Sequence, residues 1–82
     1  KMAGIMVNLV GTEGYSGEVV YENIEDIFSI KGVTPHIYGK KTTKPFRKMG
    51  HITIISEDIN EARKTAEKVK NLVKVISFQT KN

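Results

Sequence analysis

The chain has 82 residues, of which 39% are apolar, 27% are charged and none is Cys, and its formal net charge is +4. Such a chain makes one small domain with a modest core, built without disulfides or a zinc–thiolate site, and no apolar run approaches the roughly 18–20 residues that cross a membrane. The charge is segregated. Acids gather at Glu13–Asp26 and Glu57–Glu67, none lies between Ser29 and Ser56, and Lys40, Lys41, Lys44, Arg47 and Lys48 crowd one connection. Clustered cations repel one another and folding alone does not call for them, so this pattern favours a local anion site over a generally basic surface.

Met2–Val10 reads as a strand, with Ile5, Val7 and Leu9 on one face and Met6, Asn8 and Val10 on the other. Both faces are mostly apolar, which predicts cover on both sides and makes Asn8 either a polar group bonded inside a buried run or a residue aimed into a site. Lys1 leads straight into this strand, the pattern expected of a piece from a longer chain whose missing part is N-terminal. Gly11, Gly14 and Gly17 follow at intervals of three. They fit neither a dinucleotide nor a P-loop pattern, and Glu13 and Glu18 would repel phosphate, so a turn or hairpin connection is expected.

Val19–Tyr21 predicts a short strand. Glu22–Ile30 predicts one or two helical turns, from Ile24, Ile27 and Phe28 at helical spacing and a stop at Lys31-Gly32. Val33–Tyr38 predicts a second longer strand, with Pro35 pointing to an edge position. Lys40–Lys48 is the basic connection, and Met49–Ile55 predicts the strand that pairs antiparallel with Val33–Tyr38. That pairing would make His36 and His51 neighbours, and two histidines without a third ligand make a weak metal site.

Asp58 with Glu61 three residues on has the spacing of a capping box. Behind it Ile59, Ala62, Ala66, Val69, Leu72 and Val73 form the apolar stripe of a long amphipathic helix. Val75–Phe78 predicts a last strand, and Lys81 and Asn82 are expected to fray. The predicted fold class is therefore α+β, a small, mostly antiparallel sheet with one long amphipathic helix packed on it.

No Ser/His/Asp or Cys/His set suggests catalysis by this chain alone. The cations carry the signal: Arg offers a planar fork for phosphate and Lys a point charge. In an extended segment Arg47 and Lys48 point to opposite sides, so both reach one anion only if the chain bends. Lys40 can approach from the other arm. The alternative is a stand-alone basic module for nucleic acid or another anionic partner, but Tyr38 and Phe46 give it little aromatic stacking surface.

His36-Ile-Tyr-Gly-Lys40 followed by Pro45-Phe-Arg-Lys-Met-Gly-His-Ile52 closely resembles the C-terminal domain of the 5-(carboxyamino)imidazole ribonucleotide synthetases, the ATPase subunits of phosphoribosylaminoimidazole carboxylase. These are ATP-grasp ligases of bacterial purine synthesis. Met6-Val-Asn-Leu-Val-Gly11 is similar to the family's opening strand and Glu61-Ala-Arg-Lys64 to its long helix. The resemblance implies a barrel-sandwich or hybrid-motif type of domain at the C-terminus of a longer enzyme. That enzyme uses ATP, Mg²⁺ and bicarbonate to carboxylate aminoimidazole ribonucleotide, in the cytoplasm and as a homodimer, with ATP and Mg²⁺ held by the N-terminal and ATP-grasp domains. It further implies that this domain is inactive alone, closes the cleft, and holds the ribonucleotide 5′-phosphate through Lys40, Arg47 and Lys48, with Tyr38, His51 and Asn8 lining the site. The family usually has Gly where Phe46 stands, which predicts a different bend before Arg47.

Overall fold

The computed structural model describes residues 1–78. The expected fraying of Lys81 and Asn82 lies outside the described residues. Among the described residues six strands and one α-helix follow one another: β1 (Ala3–Val10), β2 (Gly17–Glu22), β3 (Val33–Ile37), β4 (Thr42–Thr43), β5 (Lys48–Ser56), α1 (Ile59–Leu72) and β6 (Lys74–Ser77). They form two three-stranded antiparallel sheets, β1-β5-β3 and β4-β2-β6, rather than the single sheet predicted. A parallel bridge between Gly11 and Val75 joins them.

The first sheet is built on β5. Ile52 and Ile54 alternate inward from it and are fully enclosed, joined by Leu9 of β1, Met49 of β5, Ala62 and Val69 of α1, and Val73 just past α1. Each enclosed Ile contributes on the order of 1.5–3 kcal/mol. The helix lies across β1 and β5 and covers this face. Of its predicted stripe, Ala62 and Val69 are buried and Ala66 and Leu72 partly so, whereas Ile59 in the first turn is exposed. Asp58 caps the helix by accepting from the Asn60 N–H at 2.8 Å. The reciprocal half of a capping box does not form. The Asp58 N–H donates to Ser56 Oγ at 3.2 Å, and Glu61 turns instead to Lys64 at 3.8 Å.

The predicted turns over Glu22–Ile30 reduce to one 3-10 turn, Ile24–Ile27, which buries Ile27 and leaves Phe28 exposed. Asn23 anchors this turn by donating from Nδ2 to the Leu72 carbonyl at the end of α1, 2.9 Å away. β3 lies at the edge of its sheet, which is why Pro35 is tolerated there. The two-sided cover predicted for the first strand is not found. Met6, Asn8 and Val10 are exposed, and only the Ile5, Val7 and Leu9 face meets the helix layer. One small domain has a single helix to offer, and β5 takes its other face to the same open side.

Candidate functional site

The open side of the β1-β5-β3 sheet is where the predicted site residues meet. In the register, Asn8 lies opposite His51, and His51 opposite His36, so the three form one row across the sheet. The next row is Met6, Thr53 and Thr34. The imidazoles of His36 and His51 stack, with centroids 4.6 Å apart and planes 21° from parallel. Tyr38 Oη sits 2.9 Å from His51 Nδ1, its ring tilted 58° to the imidazole. Thr53 Oγ1 donates its one hydrogen to the Thr34 carbonyl at 3.2 Å, so His36 Nε2, 3.1 Å from the same oxygen, carries the hydrogen of that bond.

Gly50 makes this packing available. A Cβ there would collide with the His36 carbonyl oxygen and lie 3.3 Å from Ile37 Cα. The close approach of β3 to β5 thus needs the glycine between Met49 and His51.

The basic segment is more than the turn of a hairpin. After Tyr38, whose N–H still donates to the Met49 carbonyl at 3.1 Å, the chain leaves this sheet, and Thr42–Thr43 pairs with Gly17–Glu18 of β2 in the other one. It returns through Lys44-Pro45-Phe46-Arg47, closed by the Arg47 N–H on the Lys44 carbonyl at 3.1 Å. Pro45 suits the second position of such a turn, and the third needs positive φ. Phe46 supplies it with φ 66°, although a non-glycine residue ordinarily avoids this region. The turn is clamped to Gly11: Phe46 N–H donates to the Gly11 carbonyl and Gly11 N–H to the Arg47 carbonyl, both at 2.8 Å.

Entering β5, the pairs Leu9–Gly50 and Val10–Lys48 enclose one extra residue, Met49. Met49 and Gly50 are both buried, and the bulge re-aims Lys48 onto the outer side that His51 also occupies. Lys40 reaches the same stretch, its Nζ donating to the Lys48 carbonyl at 2.8 Å. Arg47 is bonded within the turn, its Nη1 donating to the Thr42 carbonyl and to Thr42 Oγ1, both at 3.3 Å. The structure therefore places Lys48, Tyr38, His51 and Asn8 on one side of the sheet, brings Lys40 to the Lys48 backbone, and bonds Arg47 to Thr42 in the turn.

Among the described residues, those that share this face in the register (Met6, Asn8, Val10, Thr34, His36, Lys48, His51 and Thr53) include no acid. The ion pair found among the described residues, Glu61–Lys64, is on α1. The site is an open face; an apolar cleft borders it between β1, α1 and β6, lined by Val7, Leu9, Val69, Val73 and Val75 and reaching Asn8. Among the described residues no group of three or more His, Cys, Asp or Glu could hold a metal ion. Gly11 and Gly50 are the contributors that reading by periodicity missed. Their role is close backbone approach, and the only trace of it in the sequence is a glycine beside a strand.

Residues 4–65 match the family described as phosphoribosylaminoimidazole carboxylase C-terminal domain. The phosphoribosylaminoimidazole carboxylase of Schizosaccharomyces pombe is 40% identical over 60 residues, covering 73% of this chain and 10% of that protein. The formate-dependent phosphoribosylglycinamide formyltransferase of Syntrophotalea carbinolica is 31% identical over 62 residues, covering 76% of this chain and 16% of that protein. The crystal structure of N5-carboxyaminoimidazole ribonucleotide synthetase from Thermotoga maritima superposes with a TM-score of 0.86 at 43% identity, over 92% of this chain and 21% of that one. With its match over residues 4–65 and its antiparallel sheets under one helix, the chain belongs to the phosphoribosylaminoimidazole carboxylase C-terminal domain family.

Proposed function

We propose that this chain is the C-terminal domain of an ATP-dependent ligase that carboxylates aminoimidazole ribonucleotide with bicarbonate in purine biosynthesis. Its open face closes one side of the active site and holds the substrate's 5′-phosphate. The observation that carries the phosphate reading is the bulge at Met49, which turns Lys48 onto the acid-free face beside His51, where Lys40 also arrives. A phosphate monoester carries close to two negative charges near neutral pH, and clustered cations with fixed hydrogen-bond donors match it. Arg47 is the third candidate. Its bonds to Thr42 use one nitrogen, so Nε and Nη2 remain for a phosphate oxygen.

ATP and Mg²⁺ are cofactors of the whole enzyme and would be held outside these residues. The described residues offer no carboxylate or imidazole cluster that fits a metal ion, so no step through either group is assigned to this domain. Family resemblance is the support for a homodimeric, cytoplasmic whole enzyme, and no helix among the described residues is long and apolar enough to cross a membrane. The two three-stranded sheets bridged at Gly11 and Val75 support a barrel-sandwich type of domain.

The test is steady-state kinetics of the whole enzyme. Lys48→Ala and Lys40→Ala should each raise the KM for the ribonucleotide about tenfold or more, as expected for a lost charge-assisted contact, and leave the KM for ATP unchanged. Equal effects on both substrates, or none on either, would remove the assignment. Binding of single-stranded RNA by the isolated chain with a steep salt dependence would instead favour a nucleic-acid module.

A further inference from the structure

We propose that Tyr38 is a positioning residue that fixes the tautomer of His51, so that His51 presents its Nε2–H to the anion held beside Lys48. The inference rests on the phosphate reading above and adds a neutral donor to the cations. His51 is half-buried and its Nδ1 is taken by Tyr38 at 2.9 Å, whereas no hydrogen-bond partner of its Nε2 is found among the described residues. In a bond between a phenol and a neutral imidazole the phenol is the better donor and the ring nitrogen the better acceptor. Tyr38 therefore donates to Nδ1, and the single imidazole hydrogen of His51 resides on Nε2.

The ring is held in place as well as in tautomer. His36 stacks on it at 4.6 Å, and His36 is itself fixed by the Nε2–Thr53–Thr34 chain of hydrogen bonds. The row His36, His51 and Asn8 then presents an oriented N–H on the side of the sheet that Lys48 also takes. A donor fixed before the ligand arrives loses no rotamer freedom on binding.

Long-range ¹H–¹⁵N correlation spectra of the 82-residue chain at about pH 8.5, where free imidazoles are neutral, read the tautomer directly. His51 should show the Nε2–H pattern in the parent chain and a mixture in Tyr38→Phe. Ribose 5-phosphate is the probe for binding. It should shift the His51 ring signals, Lys48→Ala should weaken it about tenfold, and Tyr38→Phe should weaken it severalfold with an otherwise unchanged amide spectrum. In a His51→Gln background the side-chain amide carries hydrogens whatever Tyr38 does, so adding Tyr38→Phe should then change binding less than about twofold. If Lys48→Ala leaves ribose 5-phosphate binding unchanged, the phosphate reading itself falls. If Lys48→Ala weakens binding but Tyr38→Phe does not, or His51 shows the Nδ1–H pattern in the parent chain, only the positioning role falls.

Discussion

Gly11 and Lys44 approach so closely that a Cβ on Gly11 would overlap the Lys44 carbonyl oxygen, with the Lys44 carbonyl carbon at 2.8 Å and Thr43 Oγ1 at 2.6 Å. The last turn of the basic segment is thus seated on the end of β1 by backbone contact. Its two 2.8 Å hydrogen bonds to Gly11 hold it there. Gly11→Ala should force the two segments apart, at a cost of about 2–3 kcal/mol. Thermal unfolding should show a drop on the order of 10 °C for a domain of this size, and the amide shifts that move should centre on Lys44–Arg47. A midpoint within about 2 °C of the parent chain would contradict the clamp.

Phe46 poses the opposite case. It holds φ 66° and is 71% exposed, so its side chain packs on little that would compensate. A non-glycine residue in the left-handed region costs about 1–2 kcal/mol, and glycine returns roughly 0.5–1 of that through its freer unfolded chain. Phe46→Gly should therefore stabilise the domain by up to about 1 kcal/mol, seen as a higher urea midpoint with an unchanged m-value. A loss of stability would mean that the phenyl ring makes contacts absent from this structure.

The helix start separates two residues that the sequence pairs. Asp58 accepts from the Asn60 N–H at 2.8 Å, and Asp58→Ala should cost about 1 kcal/mol. Glu61 closes no box and meets only Lys64, at 3.8 Å on an exposed surface. Glu61→Ala should change stability by less than about 0.5 kcal/mol. Parallel denaturant titrations of the two variants check the difference.

Tyr21 supplies a pH dependence. Burial raises its phenol above the ordinary 10.0, and its hydroxyl is buried without a hydrogen-bond partner. The unfolded chain ionises first as pH rises. The stability tied to the protonated phenol is therefore complete below about pH 10 and lost as pH climbs through the raised value. Tyr21→Phe removes an unpaired buried hydroxyl, so it should raise the melting temperature at pH 7 and flatten its fall in the alkaline range. Identical alkaline profiles for the two chains would place the hydroxyl in water.

The elements with a clear period were legible in the sequence: the strands around Ile5–Leu9 and Ile52–Ile54, the α1 stripe, and the facing of His36 by His51. What escaped has physical causes. Thr42–Thr43 is too short to show a period, yet it carries the basic segment into the second sheet. Met6 and Val10 are apolar and still exposed, at 58% and 39%, because alternation cannot tell a face that a helix covers from one left open. The clustering of Lys40, Arg47 and Lys48 was legible as composition, and in the structure Lys48, Tyr38, His51 and Asn8 share one side of the sheet. The bonding of Arg47 to Thr42 was not, because it depends on a turn and a two-residue strand that show no period.

The bulge at Met49 also decides the chemistry of two neighbours with the same charge. Ironed into a regular strand, β5 would carry Met49 on its outer side and turn Lys48 toward the core; the added residue reverses this and keeps Lys48 level with His51. The ammonium then has the sheet's open side, and the guanidinium has the turn, where its Nη1 donates to the Thr42 carbonyl and hydroxyl. Exchanging the pair, R47K with K48R, would leave composition and net charge untouched while giving each position the wrong cation. Charge counts alone would miss the difference.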